Sequence, residues 1–181
     1  MTDTLPDHLG GHQGKTHSDE ETLKYFIKNH NIKSMLDVGC GPGGQVLTAL
    51  ELGLNAKGID GDYTIERPGN HWCIHDYTTG PSPVKEQFDL VWSCEFVEHV
   101  YEQYLSNYLE DFAKGTWVCM TYAPPGFPGH HHVNCQPEQY WIDKLAQIGF
   151  VYQPDETKRV RSISSQRKKF VKKRGLVFCK Q

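Results

Sequence analysis

The stretch Lys33-Ser-Met-Leu-Asp-Val-Gly-Cys-Gly-Pro-Gly-Gly44, followed by Gly58-Ile-Asp60, constrains this chain more than any other feature. An apolar run ends at Asp37, glycines fall at Gly39, Gly41 and Gly43, a helix-compatible stretch begins at Gln45, and a second apolar segment ends on Asp60. The order is strand, glycine turn, helix, strand and carboxylate. Glycines let the chain turn tightly and let its backbone approach a ligand, and an acid closing the second strand can accept both hydroxyls of a ribose. The arrangement implies a nucleoside-bearing cofactor.

Dinucleotide-binding chains share this layout, but their fingerprint is G-x-G-x-x-G, whose helix N-terminus faces a pyrophosphate. Here the glycines run G-x-G-x-G with Asp37 just before them. A carboxylate at that point repels a pyrophosphate and suits a ligand carrying an ammonium and a sulfonium. The segment resembles motif I of the class I S-adenosylmethionine-dependent methyltransferases. Further along, Asp60 matches that family's ribose-binding acid, Asp76 of His-Asp-Tyr its adenine-side acid, and Phe88-Asp-Leu-Val-Trp-Ser93 its fourth strand. The resemblance spans roughly residues 33 to 150 in the family's order. It implies S-adenosylmethionine as cofactor, held by Asp37, Gly39, Gly41, Gly43, Asp60, Asp76 and Ser93.

The pattern of the rest agrees with an α/β fold, a doubly wound, mostly parallel seven-stranded sheet with helices on both faces. Ser18-Asp-Glu-Glu21 reads as a capping box opening a helix through about Lys28, with Leu23, Phe26 and Ile27 on one face. Strands are expected at 33–38, 55–60, 71–75, 88–93, 116–122, 150–152 and 176–179, with helices after the first and fourth strands and over 136–148. Ligands then bind at the carboxyl ends of the strands. Residues 1–17 read as a flexible arm and 18–181 as one methyltransferase domain. Gly10-Gly-His-Gln-Gly-Lys-Thr16 misses the phosphate-binding loop motif, because Leu9 stands where its first glycine is required and no apolar strand precedes it. The arm is expected to fold over the cofactor.

At 181 residues the chain fits one domain, with neither a membrane-length apolar run nor a signal-like start. Of six cysteines, Cys73, Cys119 and Cys179 fall in expected strands, Cys40 in the glycine loop, and none pair as CxxC, so reduced thiols and a cytoplasmic location are expected. Net charge is −3, yet basic residues crowd into 158–174: Lys158, Arg159, Arg161, Arg167, Lys168, Lys169, Lys172, Lys173 and Arg174. Two readings stand for this segment, a solvated basic face and a site for a phosphate-bearing substrate or RNA. Phe170 is its only aromatic residue, so a base-stacking platform is not indicated.

A second chemical constellation follows the fourth strand, Ser93-Cys-Glu95-Phe-Val-Glu98-His99. If helical, Glu95, Glu98 and His99 project from one face and can hold a divalent cation such as magnesium; otherwise Glu98 and His99 simply begin a helix. The E-x-x-E-H arrangement resembles both the ubiquinone-biosynthesis O-methyltransferases and the small-RNA 3′-end ribose 2′-O-methyltransferases, the latter adding a histidine from the loop after the fifth strand. That loop here holds His130, His131 and His132. They read either as polar surface or as bases for an acceptor hydroxyl; in an extended chain His130 and His132 share a side and His131 faces the other. The preferred expectation is O-methylation of a small molecule, sugar or glycan under a small lid made of the arm, the histidine loop and the basic segment. Metal-assisted RNA ribose 2′-O-methylation and a non-catalytic cofactor-binding module are the alternatives. The Asn/Asp-Pro-Pro-Tyr of amino-methylating DNA enzymes and the Pro-Cys of cytosine C5 chemistry are both missing after the fourth strand.

Overall fold

The computed structural model describes residues 5–12 and 14–181; of the expected arm, residues 1–4 and 13 lie outside the described residues. Seven strands form one sheet: β1 Ser34–Val38, β2 Asn55–Asp60, β3 Trp72–Ile74, β4 Phe88–Ser93, β5 Gly115–Met120, β6 Phe150–Tyr152 and β7 Leu176–Lys180. Their spatial order is β3-β2-β1-β4-β5-β7-β6. All pairings through β5 are parallel, while β7 runs antiparallel between β5 and β6. The sheet is therefore doubly wound and mostly parallel, as expected. Chain order runs outward from β1 in one direction and from β4 in the other, so a crevice opens at their carboxyl ends.

Near-continuous apolar strands bury both faces, as parallel sheets require. Leu36, Val38, Val91 and Val118 pack with Tyr108, Leu109 and Phe112 of α3 (Leu105–Phe112) and with Trp141 and Leu145 of α4 (Glu138–Gln147). On the opposite face Met35, Leu90 and Trp92 meet α1 (Glu20–His30) through Leu23 and Phe26, and α2 (Gly44–Glu51) through Val46 and Ala49. Val160 of α5 (Pro154–Ile163) and Val171 of α6 (Phe170–Arg174) complete that layer.

Two local expectations need correction. The cap of α1 is Asp19 rather than Ser18: its carboxylate accepts from Thr22 N at 3.3 Å and from Ser165 N at 2.9 Å, so one acid both caps the helix and ties it to the segment after α5. The helix expected to begin at Glu95 does not form there. Glu95 has φ 54°, and its N–H donates to Thr121 Oγ1 at 2.8 Å, so the backbone is held out of the helical ladder. A single 3₁₀ turn over Val97–His99 follows instead.

All six cysteines are free, with Cys73, Cys119 and Cys179 in β3, β5 and β7. Among the described residues no helix is long and apolar enough to cross a membrane.

Candidate active site

The glycine loop sits at the carboxyl end of β1. Gly39 N and Cys40 N both donate to Ile59 O, at 2.9 and 3.0 Å, which lashes the loop to β2. Gly39 has φ 77°, and a Cβ on it would lie 2.3 Å from the Phe96 ring, so no other residue fits. The turn lines a cavity of about 360 Å³.

Asp37, Gly39, Gly41, Asp60 and Asp76 all border this cavity. Asp37 is 3% exposed, and burial, reinforced by the nearby Asp60 charge, pushes its carboxyl well above the usual range. A cation placed against it would relieve that penalty. Asp60 is held in place by the protein: Oδ2 accepts from Gly41 N and Oδ1 from Asp62 N, both at 2.8 Å, while Arg67 pairs with Oδ1 at 3.3 Å. A carboxylate has about four acceptor positions, so Oδ2 retains one for a ligand hydroxyl. Asp76 caps a 3₁₀ turn through Thr78 N at 2.8 Å and meets His8 at 2.9 Å; against the penalty of burial, these bonds hold it below its usual value.

Gly43 and Ser93 do not border the cavity, which corrects two expected cofactor contacts. Gly43, at φ 88°, caps α2, with Trp72 filling the space where a Cβ would stand. Ser93 is 1% exposed, and its hydroxyl donates to Val38 O at 2.9 Å. It fastens β4 to β1.

The arm crosses the mouth. Besides the His8–Asp76 contact, His12 Nε2 lies 3.0 Å from Asp62 Oδ2, and Gly44 N donates to Thr16 Oγ1 at 2.9 Å. Arm and histidine loop also meet, His130 Nε2 lying 2.9 Å from Asp7 O.

The cavity is also bordered by His99 and His132, which with the buried Glu98 form a cluster whose ligand-type atoms all lie within 4.8 Å of one another. Glu98 is fully buried and neither carboxylate oxygen has a hydrogen-bond partner. Burial, together with the Glu95 charge, raises its carboxyl to about 8. Burial, then the neighbouring His132, lowers the His99 imidazole to about 4, so it is neutral at pH 7. His132 Nδ1 lies 3.1 Å from Phe127 O, which fixes Nδ1 as the protonated nitrogen and leaves Nε2 as an acceptor. The histidine loop is anchored on the same acid, because Val133 N and Asn134 N both donate to Glu98 O, at 2.9 and 3.1 Å.

Glu95 does not join this cluster, which corrects the expected cation set. Its left-handed backbone turns it toward Arg174, 3.3 Å away, and Arg174 also donates to Tyr122 O at 2.8 Å and covers the Phe127 ring at 4.3 Å. His132 takes the vacant place. His130 and His132 border the cavity, whereas His131, with φ 48°, turns away to pack edge-on against Tyr101 at 5.4 Å. This corrects its expected catalytic placement.

Arg161 and Arg174 of the basic segment are structural, Arg161 pairing with Glu138 at 2.9 Å. Arg167, Lys168, Lys169, Lys172 and Lys173 are exposed, and Lys168 borders the cavity. The sequence reading missed Arg67, Gln45 and the arm's His8 and His12. Arg67 sits in an irregular loop with no motif, while the arm's histidine and glycine content was the available signal for the other two.

No protein-family model matches the chain, and no curated protein does either. Solved structures do. The magnesium protoporphyrin IX methyltransferase ChlM from Synechocystis with bound SAH superposes at TM-score 0.61 and 16% identity, over 88% of this chain and 80% of that chain. A TehB-like SAM-dependent methyltransferase from Corynebacterium glutamicum gives 0.63 and 16%, over 90% and 87%. The sugar N-methyltransferase KedS8 from Streptoalloteichus gives 0.65 and 12%, over 90% and 87%. The fold is that of the class I methyltransferases.

Proposed function

We propose that the protein transfers a methyl group from S-adenosylmethionine to a hydroxyl of a small molecule, sugar or glycan. One observation carries this reading: a single cavity is lined both by the acids Asp37, Asp60 and Asp76 and by His99, His130 and His132. Asp60 would accept one ribose hydroxyl, Asp76 the adenine amino group, and Asp37 the ammonium, whose arrival lets that buried carboxyl ionise. Bound in this way, the cofactor supplies an electrophilic methyl on sulfur.

Transfer is an in-line displacement, so the chain's task is to align the acceptor oxygen and remove its proton. With no ion at the cluster of Glu98, His99 and His132, His132 is suited to the proton, since it borders the cavity, its Nδ1–H is committed to Phe127 O and its Nε2 is left as the acceptor. With an ion there, Nε2 is the ligand atom and activation of the hydroxyl passes to the cation. Phe96, packed over Gly39, forms part of the cavity wall, and the arm and histidine loop meet through His130 and Asp7 O.

The residues present also fit a divalent cation. Glu98 offers two unpartnered buried oxygens and His99 a neutral ring, and with His132 they form a two-imidazole, one-carboxylate set. That set suits manganese or zinc better than magnesium. An ion held there would lower the pKa of an acceptor hydroxyl.

A second reading, metal-assisted methylation of an RNA ribose, is favoured by the exposed lysines that continue from Lys168 at the cavity mouth. The test is transfer of labelled methyl to panels of hydroxylated small molecules, sugars, glycans and RNA 3′ ends. Transfer to neutral hydroxyl acceptors supports the first reading, and transfer to RNA alone selects the second. Cofactor binding without transfer to any panel leaves a non-catalytic module.

A further inference from the structure

One part of the cavity wall has no role in the reading above. Gln45, in the first turn of α2, is 3% exposed and borders the cavity. Its Oε1 accepts from Asp19 N at 2.6 Å, which fixes the orientation of the amide, and its Nε2 is buried with no hydrogen-bond partner. A buried donor left unpaired is costly, so the position calls for an acceptor from outside the protein. α2 has no acidic residue in its first turn, and its N-terminus is capped by the neutral Thr16 hydroxyl on Gly44 N, so no charge of its own offsets the positive end of its dipole.

Lys15 and Lys168 border the same cavity and take no part in an ion pair among the described residues. Both act on one reporter. His17, packed edge-on against Phe170 at 4.9 Å and with its carbonyl receiving Gln166 Nε2 at 3.1 Å, is held below its ordinary pKa by burial and then by the charges of Lys168 and Lys15. No carboxylate figures among the causes. Two ammonium groups and an unpaired amide donor at a helix N-terminus thus border the cavity, and both ammonium groups lie near His17.

We infer that Gln45, Lys15 and Lys168 form an oxyanion site in the cavity, binding either the α-carboxylate of the cofactor or an anionic group of the acceptor. The inference rests on the methyl-transfer reading for the identity of the cofactor, but the site itself is defined by these three donors. The arm then contributes charge as well as cover, Lys15 preceding the Thr16 that is docked on Gly44 N.

Calorimetry with S-adenosylhomocysteine and with 5′-methylthioadenosine, which keeps the nucleoside and thioether but lacks the amino acid, separates the sources. Two variants are needed. Lys15→Met with Lys168→Met removes two exposed charges, and Gln45→Glu keeps the oxygen that accepts Asp19 N while turning the inward donor into an acceptor. If the cofactor carboxylate is the ligand, both variants weaken S-adenosylhomocysteine by at least about tenfold, as expected for a lost charged hydrogen bond, and leave 5′-methylthioadenosine unchanged. If the acceptor supplies the anion, S-adenosylhomocysteine affinity is retained. Inorganic pyrophosphate added to the saturated parent then raises the pKa of the His17 ring by NMR, and the variants lose that response. Unaltered nucleoside affinities together with no pyrophosphate effect on His17 in the parent overturn the site. A parent that binds neither nucleoside overturns the methyl-transfer reading instead, and the pyrophosphate titration then decides the oxyanion site by itself.

Discussion

Replacing Glu98 by glutamine should stabilise the metal-free protein at alkaline pH and do little at acid pH. Glu98 is fully buried, neither oxygen is hydrogen-bonded, and burial with the Glu95 charge raises it from 4.5 to about 8. A carboxyl whose folded pKa lies above its unfolded value contributes stability below the unfolded value, and that stability is lost as pH rises through the folded value. Between pH 4.5 and 8 the folded chain keeps a proton that the unfolded chain releases. At about 1.4 kcal/mol for each tenfold change in proton affinity, the accumulated cost at pH 8 is on the order of 4 kcal/mol. Glutamine carries no such charge. In excess chelator, urea unfolding should therefore show Glu98→Gln more stable than the parent by several kcal/mol at pH 8, converging toward the parent near pH 5.

The same experiment with metal has the opposite sign. If the acid serves as a ligand, manganese or zinc should raise the stability of the parent at pH 8, because an ion that binds only the folded state stabilises it by mass action. The Glu98→Gln variant should respond far less. A constant difference between parent and variant across pH 5 to 8 would refute the argument from burial. A metal response equal in both proteins would refute the ligand role while leaving the burial argument intact.

Three further outcomes are expected. Asp60→Ala should weaken S-adenosylhomocysteine binding by at least about tenfold by calorimetry, since a charged acceptor for ribose is lost; unchanged affinity would remove the basis for the nucleoside assignment. Chelation should abolish methyl transfer yet leave cofactor affinity intact, with manganese restoring activity; full turnover in excess chelator would discard the cation. Neutralising Lys169, Lys172 and Lys173 together should flatten the salt dependence of binding to an RNA or phosphorylated acceptor, and an unaltered slope would return them to solvated surface.

The parts of this fold that were legible in the sequence are those fixed by local rules. The period-two apolar strands, the glycines before α2 and the acids closing β1 and β2 each depend on nearby residues, and the strands fell where the pattern placed them. Ser93 and Gly43 show the limit of a motif. Both stand at motif positions, but whether a side chain faces the ligand or the neighbouring strand depends on strand register and on Trp72, which lies far along the chain. Gln45 carries no motif either, and its unpaired amide becomes visible only when α1 docks and Asp19 N claims its oxygen.

Glu95 marks a deeper reason. The spacing of Glu95, Glu98 and His99 placed two carboxylates and an imidazole on one helical face; the helix is absent, and Glu98 and His99 converge with His132 instead of Glu95. Convergence arises from a different cause: Thr121 takes the Glu95 N–H, Arg174 takes its carboxylate, and the backbone carbonyl of Glu98 gathers the histidine loop. Arg174 belongs to the basic segment, where charge alone suggested a solvated face or a phosphate site. Buried against Phe127 and bonded to Tyr122 O, it instead decides which acid remains unpaired. By pairing with Glu95 it leaves Glu98, among the described residues, as the buried carboxylate without a partner beside His99 and His132. The chemistry around Glu98 thus depends on an ion pair between the turn that follows β4 and α6, two segments separated by most of the second half of the chain.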